Sequence, residues 1–74
     1  MKTEINEFDV VALLGDIPAE HLTRGETGTV VFDFGDGVYL VEFSDNLGQT
    51  YALVELRAEQ LLLLHHIERA EVTA

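Results

Sequence analysis

Apolar positions along the chain gather into five short runs, each closed by residues that favour turns. The first is FDVVALL at residues 8–14, ended by the pair Gly15-Asp16. The loop that follows holds the single proline, Pro18, with Leu22 as its apolar anchor. Proline suits the first position of a helical turn, so residues 19–22 are expected to make one. The second run, 27–34, alternates Gly28, Val30, Phe32 and Phe34 against Thr27, Thr29, Val31 and Asp33. A period of two is that of a strand with one face buried. Gly28 inside such a strand marks a bulge or a close approach of backbones. Gly35-Asp36-Gly37 closes a tight hairpin, because glycine reaches the positive φ of primed turns. The third run, 38–43, sets Tyr39, Val41 and Phe43 opposite Glu42. Val30, Phe32, Tyr39, Val41 and Phe43 are the leading expected core.

SDNLG at 44–48 reads as a further turn, with Asp45-Asn46 in the form of an Asx turn. TYALVEL at 50–56 is a fourth strand whose alternation is weak, since Thr50 and Glu55 fall on opposite faces. Such a strand is covered on both sides or lies at a partner contact. Residues 57–60 are expected to form one short helical or 3₁₀ turn, and LLLLHH at 61–66 a fifth strand. A competing assignment makes residues 58–70, AEQLLLLHHIERA, a C-terminal helix, because leucine favours helix and strands favour β-branched residues. The strand is retained for 62–65 because a fifth strand covers the barrel's edge, leaving 67–74 as a helical or frayed tail. Short strands separated by turn chemistry at close intervals make the chain all-β.

Seventy-four residues make one domain, 1–74, with a core over about 8–66. A chain this short buries only roughly 60% of its unfolded surface, so the core is small. There is no cysteine, and hence neither a disulfide nor a thiolate metal site. Small secreted domains usually need such staples, so a cytoplasmic protein is expected. MKTEINEFD has no apolar segment of the signal-peptide kind, and LLLL is far too short to span a bilayer. Fourteen acids face four basic residues, for a formal charge of −10. Nucleic-acid binding draws its non-specific affinity from lysine and arginine releasing counterions. Four cations scattered from Lys2 to Arg69 do not supply that, so no nucleic-acid partner is expected. An acidic surface favours solubility and attracts cationic partners.

Catalytic and metal chemistry find little support. His65 and His66 are adjacent, so a strand points them to opposite faces and a helix diverges them; His21 is distant. A metal site needs three or four convergent ligands. Asp33 and Asp36 fall short of the regular oxygen array of a calcium loop, and a hairpin turn explains them better. No nucleophile-elbow, cysteine–histidine or phosphate-loop motif is present. A barrel this small has little room for a pocket of the usual ~300–1,000 Å³. The expectation is of no enzyme, no cofactor and no metal.

Several stretches carry a resemblance: Asp9-x-Val11-Ala12-Leu13-Leu14, Ile17-Pro18, Leu22-x-Arg24-Gly25-x-x-Gly28-Thr29-Val30-Val31, Val41-Glu42-Phe43, Tyr51-Ala52-Leu53 and Glu59-Gln60-Leu61-Leu62. Over roughly residues 8–64 the chain resembles a family of short bacterial proteins bearing only a domain-of-unknown-function label. The resemblance implies a small five-stranded SH3-like barrel with a short helical turn before the last strand. It implies no catalytic or ligand residues. Some members are encoded beside toxin-like proteins, which implies an antitoxin or immunity role. R-G-x-x-G-x-V also resembles the RNA-binding KOW element, but Glu26, Asp33, Asp36 and Glu42 stand where an RNA binder is basic.

The apolar surplus remains. Val31, Leu40, Tyr51, Leu53 and the LLLL run exceed what one face of a tiny barrel hides, so the tail, the loops or a partner must cover them. An exposed apolar patch of a few hundred Å² normally marks an interface. The expected function is a non-catalytic protein-interaction module. Asp16, Glu20, Asp33 and Asp36 would dock on a basic or toxin-like protein. Alternatively Leu62 and Leu64 would join the chain to a larger complex or a homo-oligomer through the fifth strand. No membrane partner is expected.

Overall fold

A computed structural model of the chain describes residues 4–65. Five strands, β1 (Val10–Leu13), β2 (Thr27–Gly35), β3 (Val38–Ser44), β4 (Thr50–Arg57) and β5 (Leu61–His65), form one antiparallel sheet in the order β4-β3-β2-β1-β5. Single 3₁₀ turns lie at Pro18–Glu20 and Ala58–Gln60. This is the all-β, SH3-like barrel with a short helical turn before its last strand. No helix among the described residues is long and apolar enough to cross a membrane.

The core sits on the inner side of the curled sheet. Val11, Val30, Val41 and Phe43 have no exposed surface, and Leu13, Leu22, Tyr39, Leu56 and Leu61 close around them. Burying each large aliphatic or aromatic side chain stabilises the fold by about 1.5–3 kcal/mol. Tyr39, Val41 and Phe43 alternate on β3 as the period of two requires. Leu22 is buried as the anchor of the first loop, which is pinched in its middle by a backbone bridge between Ile17 and Leu22. The helical turn there starts at Pro18 and ends early, because His21 takes a left-handed φ of 60°.

Phe32 departs from the expected core. Val30 pairs with Val41, but Phe32 pairs with Leu40, so β2 advances two residues while β3 advances one. Val31 is the extra residue of a β-bulge, and an extra residue inverts the side-chain alternation beyond it. Phe32 therefore shares the outer face with Leu40 and is exposed, while Asp33 pairs with Tyr39. A second irregularity, between Asp33 and Gly35, leads into the hairpin. Its two central residues, Asp36 at φ 57° and Gly37 at φ 78°, have the signs of a type I′ turn.

At the start of the chain, β1 begins at Val10 rather than at residue 8. Asn6 N donates to Asp9 Oδ2 at 2.8 Å and Asp9 N to Asn6 O at 3.1 Å, bending the chain before the strand. Phe8 takes a φ of 75° at this bend. At the other end, the leucine run is extended, not helical. Leu61, Leu62 and Leu63 pair with Leu13, Ala12 and Val11. Long-range pairing thus overrides the helix preference of leucine. Residue 66 of the expected strand and the expected tail, 67–74, lie outside the described residues.

Candidate protein-docking surface

Two of the acids expected at the surface are bound into their own loops. Asp16 Oδ1 accepts from Arg24 N at 2.8 Å, tying the two ends of the first loop together. Asp33 Oδ1 accepts from Gly35 N at 2.9 Å at the head of the β2–β3 hairpin. Asp36 in that turn and Glu20 at the end of the first 3₁₀ turn are exposed. The second 3₁₀ turn gathers both loops at one end of the barrel. Ala58 N donates to Gly37 O at 2.8 Å, and Leu14 N to Gln60 O at 2.9 Å. Asp36 and Asp16 thereby flank a turn that itself carries Glu59. Glu20 has no hydrogen bond to this end among the described residues.

Leu62 and Leu64 are each 49% exposed. Their neighbours Leu61 and Leu63 pack on the core, so strand alternation sends Leu62 outward above its partner Ala12. Leu14 is also exposed. β5 ends the sheet, so one of its edges has no partner strand among the described residues. Beside it lies an open apolar groove of about 250 Å³ lined by Ile5, Ala58, Leu61, Leu62 and Leu63.

The other half of the outer face is richer. Of the four phenylalanines only Phe43 is buried; Phe8, Phe32 and Phe34 are 57, 48 and 47% exposed. Phe32 and Phe34 meet edge to face, ring centroids 4.9 Å apart. The N-terminal segment runs beside them: Phe8 N donates to Val30 O, and Asp33 N to Glu7 Oε2 at 3.3 Å. Across β2, β3 and β4 the outer rows read Phe32–Leu40–Glu55 and Thr29–Glu42–Leu53. Leucine and glutamate alternate both along and across β3 and β4. Thr50 Oγ1 donates to Glu42 Oε2 and so orients that carboxylate. Glu55 has no ion-pair or hydrogen-bond partner among the described residues.

Twelve acids but only two cations, Arg24 and Arg57, fall within 4–65. Arg57 pairs with Glu59 at 3.3 Å with both side chains largely exposed, a geometry that adds little stability. The acidic field reaches the barrel's interior. Burial, then the charges of Asp33, Glu4 and Asp9, raises the Tyr39 phenol above its ordinary range. Glu26 is held below the ordinary glutamate range by hydrogen bonds, first from Thr23 N (2.8 Å) and then from Tyr51 OH (2.7 Å). Burial and other charges aside, that same bond to Glu26 is the largest cause of the rise in Tyr51. It ties β4 to the first loop. Among the described residues no group of three or more His, Cys, Asp or Glu converges as a metal-holding set.

The sequence pattern places Phe8, Phe32 and Phe34 inside strands or the core, whereas the structure exposes all three. The available signal was the unbroken triplet Val30-Val31-Phe32, where a bulge can sit without turning a polar side chain inward.

The pattern of a domain of unknown function, DUF4926, matches residues 7–63. The chain belongs to that family. No curated protein and no solved structure matches it. The DUF4926 region runs from the bend before β1 into β5, so it takes in Phe8, Phe32, Phe34, Leu40, Leu53 and Leu62. Of the outward apolar residues described above, Leu64 alone falls beyond it.

Proposed function

We propose that this DUF4926 domain is a non-catalytic docking module that binds another protein through the outer face of its barrel. One observation carries the reading. The core closes on Val11, Val30, Val41 and Phe43, while Phe32, Phe34, Leu53, Leu62 and Leu64 remain about half exposed. Folding leaves those side chains without a role, and grouped exposed apolar residues mark interaction surfaces. The acidic surround favours a basic partner, which fits an antitoxin or immunity protein set against a basic toxin in the cytoplasm. Asp16, Glu20, Asp33 and Asp36 would steer such a partner rather than anchor it, since loop-end charges act mainly on association rate.

A second reading is favoured by Leu62 and Leu64 beside the open edge of β5. There the chain would be an accessory subunit of a larger complex, or a homo-oligomer, joined by sheet extension. A KOW-like nucleic-acid module is the third, and the excess of acids stands against it.

Affinity purification from the organism that encodes the chain separates these. Wild type would be compared with Phe32→Ser/Phe34→Ser and Leu62→Lys/Leu64→Lys, each verified as folded by circular dichroism. Docking predicts a protein recovered in near-stoichiometric amount with wild type and lost with an outer-face variant. Loss in the Leu62/Leu64 variant alone assigns the second reading. The same proteins recovered with all three forms, or nucleic acid alone, would contradict docking.

A further inference from the structure

We infer that the outer face of β2–β3–β4 receives an extended segment whose face-directed side chains, every second residue, alternate between arginine or lysine and apolar residues, an inference that rests on the docking reading above. Three observations converge on this face. The first is the checkerboard in which Leu40 and Leu53 interleave with Glu42 and Glu55. Glu42 and Glu55 are diagonal neighbours on adjacent strands, a relation that sets them about 7–8 Å apart. Leu40 and Glu42 on β3, and Leu53 and Glu55 on β4, are each two residues apart, which is the spacing of successive side chains on one face of an extended partner at about 3.3 Å per residue. An extended partner laid along either strand sets a cation over the glutamate and its next face-directed side chain, an apolar one, over the leucine.

The second observation is aromatic. Phe32 adjoins Leu40 in the same row, and its ring meets Phe34 edge to face. Half-exposed phenylalanine rings beside carboxylates suit guanidinium groups, which stack on an aromatic face while pairing with an anion. The third is strain. Phe8 is exposed although its φ of 75° is costly for a bulky residue and its exposure returns no burial. The bond from Phe8 N to Val30 O fixes this aromatic residue beside the strand that carries Phe32. The Asn6–Asp9 bend imposes that φ, and its outcome is a third exposed aromatic ring beside this strand.

Charge selects the occupant. A second copy placed on this face by two-fold symmetry would set the same acidic patch against itself. Glu42 and Glu55 would then meet like charges in a chain of net charge −10. A cationic partner turns both glutamates into attractive contacts. The apolar positions distinguish it from a merely polycationic one.

The test uses the full ¹⁵N-labelled chain and three synthetic nine-residue probes, whose odd-numbered residues alternate Arg/Leu, Arg/Ser or Glu/Leu with serine at every even-numbered position, followed by NMR shift mapping at low salt. The Arg/Leu probe is expected to shift residues 32–34, 40–42 and 53–55 and to bind more tightly than either other probe. Glu42→Gln/Glu55→Gln, which preserves shape, and Phe32→Ser/Phe34→Ser should each weaken binding by about tenfold. Leu62→Ser/Leu64→Ser should leave it unchanged. Shifts confined to residues 15–22 or to β5, equal binding of Arg/Ser and Arg/Leu, or concentration-dependent self-association through this face would overturn the inference. Such a result, alongside a partner protein still lost in the Phe32/Phe34 purification, would leave the docking reading standing and remove only the partner chemistry. Failure of both would remove the two together.

Discussion

A methyl group at position 28 would lie 2.8 Å from the Glu42 carbonyl oxygen and 2.8 Å from Val41 Cγ1. Backbone cannot yield there as a flexible side chain would, so β2 and β3 must separate to admit it. Gly28→Ala is expected to cost about 1–3 kcal/mol in urea denaturation. Gly15→Ala, which meets open space, should change stability by less than about 0.5 kcal/mol. Equal effects would contradict the close approach. Glu26 makes a second residue-scale test. Its folded pKa is depressed below the ordinary 4.5, so its contribution is fully present above that value. It is lost as pH falls through the lower folded value. Tyr51 is shifted oppositely, raised above 10.0, so the stabilisation from their hydrogen bond is present below that pH and fades as pH rises through the folded value. The melting-temperature gap between wild type and Glu26→Gln should therefore be open at neutral pH and narrow below about pH 4.5. A gap independent of pH would show that the carboxylate charge is not what Thr23 N, Thr23 Oγ1 and Tyr51 OH stabilise.

The elements differ in how much of their placement could be read in advance. β3 was legible because Tyr39, Val41 and Phe43 alternate cleanly against Leu40 and Glu42, and a strand between two others has its pattern imposed from both sides. The turns were legible for local reasons. Asp36-Gly37 reaches positive φ at both positions, and Asp45 Oδ1 accepts from Leu47 N and Gln49 N, both at 2.9 Å, as an Asx turn does. β2 was legible only to Val30. The bulge at Val31 is set by pairing with β3, and Val-Val-Phe reads equally well in either phase. For β5 the leucines are ambiguous locally, and pairing with β1 decides them. The proposed docking surface is half legible: Leu62, Leu64, Tyr51 and Leu53 stand out as surplus, whereas the bulge hides Phe32 and Phe34 by inverting the phase of β2. Burial decides between the two phases. Phe32→Ala should cost about 1 kcal/mol or less, whereas Phe43→Ala, a fully buried ring, should cost about 3–5 kcal/mol. A comparable loss at both sites would place Phe32 inside.

On the scale of the whole molecule, charge and apolar surface act against each other. A compact chain with a radius of gyration of 12.5 Å carries a net −10 with one salt bridge among the described residues. Self-repulsion of that kind weakens the folded state and is screened once the Debye length falls to about 10 Å near 0.1 M salt. Raising sodium chloride from 10 to 500 mM should therefore raise Tm; screening worth about 1 kcal/mol corresponds to about 4–8 °C in a domain of this size. A Tm that falls or stays level would mean that the acids are already neutralised within the fold. On the proposed docking reading, the same repulsion opposes self-association through the exposed phenylalanines and favours a partner of opposite charge on that face. Carbene footprinting of the chain in an extract of its own host, against the purified chain, examines this face directly. Labelling at Phe32, Phe34 and Leu53 is expected to fall in the extract, while Leu47, exposed in the β3–β4 turn, stays labelled as before. Unchanged labelling at all four positions would mean that nothing covers the outer face, and the docking account would fail.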